Sequence, residues 1–253
     1  MRTARRILRI AFWTLLVVSV LPFFMRDRLP PSSDILPELT REPIQEATEA
    51  EPFDVRVDDT TFTVTPLFTY DIVGLVVSEH NTDSLFDYYH KLWNDTFNVK
   101  DLCVVWGNNA ISGLYKEMSF RSGSWTCYFK TRDTETWRAF TKAELSNNHL
   151  LTESPHIQKT LRSIRRGDQV RIKGYLAEYS HEGNFFRGSS ISRTDTGNRA
   201  CETIYITDIE VLREANGVWR IIFSLSFSLL MAVLALRVIL FIVATARGPR
   251  RYI

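Results

Sequence analysis

Two long apolar stretches, one at each end, constrain this chain more than anything between them. From Ile10 to Met25 only Thr14 and Ser19 interrupt the apolar residues, and from Ile221 to Ala246 only small hydroxyl residues and Arg237 do. A helix crossing a bilayer needs about 20 mostly apolar residues. The C-terminal stretch meets that length by itself. The N-terminal one does so when Ile7 and Leu8 are added, with Arg9 snorkelling to the interface. A charged start and a short apolar core also describe a cleaved secretory signal. The exit Leu21-Pro22-Phe23-Phe24-Met25-Arg26 has no small-x-small site, so an uncleaved anchor is expected.

Basic residues set the expected orientation. Arg2, Arg5, Arg6 and Arg9 precede the first span, and Arg247, Arg250 and Arg251 follow the second. By the positive-inside bias both termini are cytoplasmic and residues 26–220 lie outside, in the periplasm if the membrane is a bacterial inner membrane. Of 31 basic residues, eight (these seven and Arg237) belong to the ends, and all 29 acidic residues lie between, so the middle carries 23 − 29 = −6. An acidic exterior region lacks the excess of Lys and Arg that non-specific nucleic-acid binding requires, and no nucleic-acid partner is expected. Arg237 has two readings: a charge working within the span, or the cytoplasmic edge of a span running Val218–Leu236, which is favoured. Ser224, Ser226 and Ser228 on that span are compatible with helix–helix packing.

Between the spans, residues 26–52 combine five prolines with Glu38, Glu42, Glu46, Glu49 and Glu51 and read as an acidic tether, with one helical turn near Ile44–Ala50. A folded domain is expected over residues 53–214, a second span over 218–246 and a basic tail over 247–253. Strands are expected at Phe62–Thr65, Tyr70–Ser78, Leu102–Trp106, Trp125–Phe129, Asp168–Leu176 and Thr203–Leu212. Leu85, Phe86, Tyr89, Leu92 and Trp93 fall on one face of a 3.6-residue period and predict a helix capped by Thr82 or Asp83. A second helix has Ser154 as N-cap, Pro155 at its first position, Ile157, Leu161 and Ile164 on one face, and Gly167 beyond its end. Strands with a helix before the fourth predict a mainly β domain, an OB-like small antiparallel barrel with two helices.

Several strings together resemble a bacterial family of membrane-linked or exported proteins with no established activity. They are Tyr70-Asp71-Ile72-Val73-Gly74, Asp101 to Gly107 with its Trp-Gly, Asn148-His149-Leu150, Gly167 to Gly174, and Ser189 to Gly197 followed by Ala200-Cys201-Glu202. The resemblance covers about residues 60–212. Thr152 stands where the family pattern has proline, and Arg199 where it has glycine.

Three cysteines fall in a region expected to be oxidising. If the strands around Cys103 and Cys127 pair with those residues opposite, the two can bridge and leave Cys201 as the odd thiol; pairings through Cys201 are the alternatives. No Cys-x-x-Cys, phosphate-cradling glycine loop, Gly-x-Ser-x-Gly or His-Glu-x-x-His is present, and no metal or cofactor is expected. His80, His90, His156 and His181 show no ligand spacing and read as surface. Trp106, Trp125, Phe129 and Tyr175 offer a stacking platform but read more readily as core. The polar segment Gly188–Glu202, with Asn148 and His149, offers a pocket in which His149 is a base and Arg193 steadies an anion. Its binding set is Trp106, Asn148, His149, Ser190, Arg193 and Asp195. The structural alternative pairs Arg193 with Asp195 to hold the loop, and has Asn148 and His149 satisfying backbone groups ahead of the helix. The expected function is a membrane-anchored exterior binding or assembly module, a subunit of a membrane complex meeting a protein or envelope ligand. The rival is a hydrolase or nuclease-like enzyme using His149, Arg193, Asp195 and Glu202.

Overall fold

Both apolar stretches are helical. Helices α1 (Arg2–Met25) and α6 (Gly217–Ala246) are each long and apolar enough to cross a membrane, and they form a compact unit distinct from the unit Leu29–Ala215. The computed structural model describes residues 2–84, 87–182, 185–195 and 201–246. Where the two helices meet, Ser19 Oγ donates to Ser226 Oγ at 3.0 Å, and the rings of Phe23 and Phe223 lie 5.8 Å apart. Small residues at such a crossing let backbones approach where no hydrophobic drive separates helix from lipid. Helix α6 does not stop at Leu236: it runs on to Ala246 past Arg237, whose guanidinium sits 4.9 Å from the Phe12 ring centroid. Val238 to Ala246 is apolar apart from Thr245 and holds no helix breaker, so the charge alone does not end the helix. Arg247, Arg250 and Arg251 lie outside the described residues.

The unit Leu29–Ala215 is mixed α/β. Strands β1 (Ile44–Ala47), β2 (Phe53–Val57), β3 (Thr60–Asn81), β4 (Asn98–Val105), β7 (Leu145–Leu151), β8 (Gln169–His181), β9 (Phe185–Arg187) and β10 (Cys201–Arg213) form one 8-stranded sheet. Strands β5 (Ser119–Ser122) and β6 (Cys127–Lys130) form a separate pair. Short helices α2 (Tyr89–Leu92), α3 (Gly107–Ile111) and α4 (Thr134–Ala139) and the longer α5 (Pro155–Ser163) connect them.

Strand β3 serves two partners in turn. Residues Phe62–Leu75 pair antiparallel with β8, and Leu75–Asn81 pair antiparallel with β4. The handover falls beside Gly74, where a Cβ would lie 3.0 Å from Val104 Cβ; only glycine lets the strands approach this closely. Pro66, which has no N–H to give a ladder, sits where the β3–β8 register slips. Strand β7 is antiparallel to β4 but parallel to β10, which itself pairs antiparallel with β8. A wholly antiparallel arrangement is therefore corrected, and Asn148 and His149 lie within β7 instead of leading into a helix. Tyr70, Ile72, Leu102, Val104, Trp106, Leu150, Val170, Ile172, Ile204 and Ile206 are buried together, and Leu161 and Ile164 from α5 and its C-terminal end pack against them. Burying one such leucine contributes about 1.5–3 kcal/mol.

Other expectations change as well. Residues 26–52 are no free tether: Leu39 is fully buried, Leu29, Ile35 and Leu36 pack on the core around Leu75 and Val105, and β1 pairs with β3 in place of a helical turn. The helix expected from Leu85 to Trp93 is a single turn. Tyr89, Leu92 and Trp93 are exposed on it, Leu85 and Phe86 lie outside the described residues, and the Thr82 hydroxyl donates to the Asn98 carbonyl instead of capping. Cys103 and Cys127 are joined in a disulfide with Cα atoms 5.9 Å apart, but their strands do not pair, because β6 belongs to the small sheet. Ser154 precedes α5 without a side-chain cap bond, and Gly167 takes φ +96°.

Candidate functional site

The polar cluster on the outer side of β4 and β7 starts from strand register. Asp101 and His149 are cross-strand partners, both fully buried, and Nδ1 of His149 lies 2.6 Å from Asp101 Oδ1. Asn98 Nδ2 donates to the same carboxylate oxygen at 2.8 Å and to His90 Nε2 at 3.2 Å. Asp101 Oδ2 has no partner. On the other side of the imidazole, Arg187 Nη2 approaches Nε2 to 2.6 Å while its guanidinium lies 3.8 Å from the Trp125 ring centroid. Trp125 also stacks on His90 at 3.9 Å and Trp93 at 5.4 Å.

Cys201 completes this cluster. It opens β10 opposite Asn147, whose amide donates to Sγ at 3.5 Å, and the thiol donates to the Trp125 carbonyl at 3.4 Å. Along the β7–β10 register Cys201 pairs with Asn147, two positions from the pair Thr203–His149. Burial pushes the thiol up, but His149 pulls it further down, helped by Asn147 and Arg187, so the balance is below an ordinary thiol. For His149 burial opposes the charge and Asp101 overcomes it, raising the ring to about 9. The 2.6 Å approach of Arg187 needs a lone pair on Nε2, so a charged ring and this arginine position are mutually exclusive.

Cys201, Trp125, Trp93, Phe186, Arg187 and Ser190 line a groove of about 730 Å³. Among the described residues Arg187 forms no ion pair with a carboxylate. Phe186 is 64% exposed, an unusual position for a phenylalanine among the described residues.

A second group adjoins the first through His90. His80 Nε2 and His90 Nδ1 both donate to Asp87 Oδ2, at 2.5 and 2.8 Å, and the three ligand atoms lie within 4.8 Å of one another, close enough to hold a metal ion. Burial keeps His90 below the usual imidazole range; burial opposes the Asp87 charge, but both histidines hold that carboxyl below the ordinary range. His90 is thus buried and His80 half-buried, contrary to a surface placement, whereas His156 is exposed.

The residues singled out in the sequence divide between two places. Arg193 Nη1 donates to Tyr70 Oη at 2.7 Å and pairs with Glu202 Oε1 at 3.3 Å, its guanidinium 5.4 Å from the Trp106 ring. Burial raises Glu202 to about 8 against the pull of Arg193. Asp195 accepts from Ser190 Oγ at 2.9 Å, so the expected Arg193–Asp195 pair is replaced by two others. Trp106 is core, and Asn148 is fully buried, donating to the Leu102 carbonyl and Ser146 Oγ. His149, Arg193, Asp195 and Glu202 therefore do not form one constellation; His149 belongs with Asp101, Arg187 and Cys201. Trp125 lines the groove, which corrects its assignment to the core. Thr196 to Ala200 lie outside the described residues. Sequence reading missed Asp101, Arg187 and Cys201 because only strand register brings them to His149. The chain matches no protein-family model, no curated protein and no solved structure.

Proposed function

We propose that this protein is a two-span, membrane-anchored binding module, with both termini cytoplasmic and the unit Leu29–Ala215 in the periplasm of a bacterial inner membrane. The two apolar helices, the basic residues at the N-terminus and the Cys103–Cys127 disulfide support this placement. We read the sheet as an OB-like five-stranded barrel. The support is the cycle of pairings from β3 to β4, β7, β10, β8 and back to β3, with α5 between the third and fourth strands in chain order.

The barrel presents the groove to a partner protein or envelope ligand carrying an anionic group. One observation carries this reading: Arg187 stands in the groove, stacked on Trp125, with no carboxylate partner among the described residues. A guanidinium backed by an aromatic face and flanked by Trp93 and Phe186 offers a planar donor fork beside apolar contact area. Such a site suits a ligand with a carboxylate or phosphate next to an apolar portion, and as a membrane-complex subunit the protein would hold that ligand near the bilayer.

The test is a photocrosslinking amino acid at Phe186 in intact cells, alongside a reporter at residue 140. A single adduct of defined stoichiometry, abolished by Arg187→Ala, is the expected result. A cytosolic reporter overturns the topology, and a clean uncrosslinked monomer overturns the binding reading.

A further inference from the structure

We propose that Cys201 is a nucleophile for acyl transfer, with His149 as its base, Asp101 as the residue that positions the imidazole, and Arg187 as the group that receives the carbonyl oxygen. This rests on the reading of the groove as a ligand site and goes beyond it, because it assigns that site a reaction. The parts come from four strands. Asp101 on β4 fixes Nδ1 of His149 on β7 at 2.6 Å, and β10 brings the thiol beside the same stretch of β7, opposite Asn147 and two positions from the pair Thr203–His149. The guanidinium of Arg187, on β9, reaches Nε2 at 2.6 Å. A nucleophile placed near a base that a third group orients is the arrangement covalent catalysis builds on.

A second observation points to a ligand at this place. Asn147, which touches the thiol, is nine-tenths buried or more and its Oδ1 has no partner among the described residues; Trp125 Nε1, also buried, has none among them either. Buried polar atoms are almost always satisfied, so an unmatched acceptor and an unmatched donor beside one thiol call for a bound group carrying both kinds of atom. An amide carries both, a carbonyl acceptor and an N–H donor; an ester supplies the acceptor alone. The other two cysteines are bonded to each other, so Cys201 is the free thiol of the chain.

The chemistry balances without a redox partner. Because Nδ1 is committed to Asp101, the proton from the Cys201 thiol is taken by Nε2, the position to which Arg187 Nη2 approaches at 2.6 Å. An anionic or carbonyl oxygen that draws Arg187 away frees Nε2, so the ligand itself arms the base. The thiolate attacks the carbonyl carbon, a C–S bond forms, and the carbonyl electron pair moves onto oxygen against Arg187. Collapse of that species breaks the bond to the leaving alcohol or amine, which takes the proton from Nε2. The S-acyl Cys201 is then opened by water or an acceptor amine, whose proton returns to Nε2 and then to the thiolate as the C–S bond breaks. The charged and titratable groups facing the thiol are His149 and Arg187, with Asp101 and Glu202 behind them and Glu178 and Asp195 on the groove wall.

The test treats the full chain in detergent with p-nitrophenyl acetate, reading p-nitrophenolate release and acetyl mass on the Cys201 peptide. Wild type should acetylate at Cys201 with a burst, and its rate–pH midpoint should fall below the value of about 8.5 for a free thiol. Cys201→Ala should show no burst. His149→Gln should slow acetylation by about 10²-fold, and Asp101→Asn should slow it and move the pH midpoint. Arg187→Gln, at a half-buried site where folding is not at stake, should slow acetylation while leaving alkylation by iodoacetamide at high pH unchanged. An ordinary thiol midpoint, together with rates unaffected by Arg187→Gln and by His149→Gln or Asp101→Asn, overturns the proposal. The Phe186 crosslink in the Cys201→Ala variant separates the two readings: if it persists without acyl transfer the groove binds but does not react, and if it is lost in wild type the groove itself is not a ligand site.

Discussion

Two consecutive residues at the start of β10 lie in opposite worlds. Glu202 points into the core, where Arg193, Tyr70 and Trp106 enclose it. Cys201 points outward to His149, Asn147 and Trp125, at the edge of an open groove. Strand alternation alone makes this division. The inner cluster is nearly closed: Arg193 meets a carboxylate, a phenol and an indole face, and only Glu202 Oε2 lacks a partner. Among the described residues the outer cluster keeps an arginine that forms no ion pair with a carboxylate and, in Phe186, an exposed aromatic ring. Polar groups of similar number therefore do different work, the inner set fixing the strands and the outer set keeping donors ready for something else.

The comparison breaks first, if it breaks, at the tryptophans. Trp106→Ala removes a side chain 1% exposed from the centre of the core, and denaturant unfolding should show a loss of about 3–5 kcal/mol. Trp125→Ala, at the half-buried groove wall, should cost about half that or less, while the Phe186 crosslink disappears. Equal losses would mean that the groove wall is as structural as the core.

A second test separates the clusters by pH. Glu202 is raised from 4.5 to about 8 by burial, so the folded state holds a proton that the unfolded state has released. Stability then falls as pH rises from about 4.5 to 8. His149 is raised from 6.5 to about 9, so its favourable term is complete below 6.5 and is lost as pH rises through 9. Each term is of the order of a few kcal/mol. Stability–pH curves should lose the lower window in Glu202→Gln and the upper window in His149→Gln. A variant that leaves both windows in place shows that its group does not titrate in this way.

Much of the frame was legible because apolar alternation is strong in β3, β8 and the late part of β10. Strand β7 was not, because Ser146, Asn147, Asn148 and His149 are polar yet all buried, so neither face shows the alternation that marks a half-buried strand. The proline-rich start was misread for a related reason. Its acidic composition hid Leu29, Ile35, Leu36 and Leu39, four residues spaced to cover the core edge without a helical or strand period. Of the site, Asn148-His149 and Cys201-Glu202 stood out as segments, but pairing His149 with Asp101 depends on register between strands 48 positions apart. Arg187 and His90 gave no local signal at all, one lying in a three-residue strand and the other buried beside Tyr89, Leu92 and Trp93, the stripe residues that are exposed.

The arginines sharpen the comparison further. Arg193→Gln leaves Glu202 buried without its cation and should destabilise by about 1–3 kcal/mol, the cost of orphaning a buried hydrogen-bonding group. Arg187→Gln should leave stability within about 1 kcal/mol, since it lacks a carboxylate partner, and should act on crosslinking instead. Thermal melts of the two variants in the same detergent, with the crosslinking assay beside them, check both.

The smallest expected effect bears most directly on what the outer cluster is for. Cys201→Ala removes one thiol whose contacts, a 3.5 Å bond from Asn147 and a 3.4 Å bond to the Trp125 carbonyl, are long and weak. Losing them should change unfolding free energy by no more than about 1 kcal/mol, although the neighbouring Glu202 sits among groups whose loss costs several times as much. A small loss at a thiol that lines the groove is what the acyl-transfer proposal expects of a nucleophile that is not a packing group. Should Cys201→Ala unfold the protein as Trp106→Ala does, the thiol would be a packing group, and the distinction between a closed inner face and an available outer one would collapse at the very residue where the two meet.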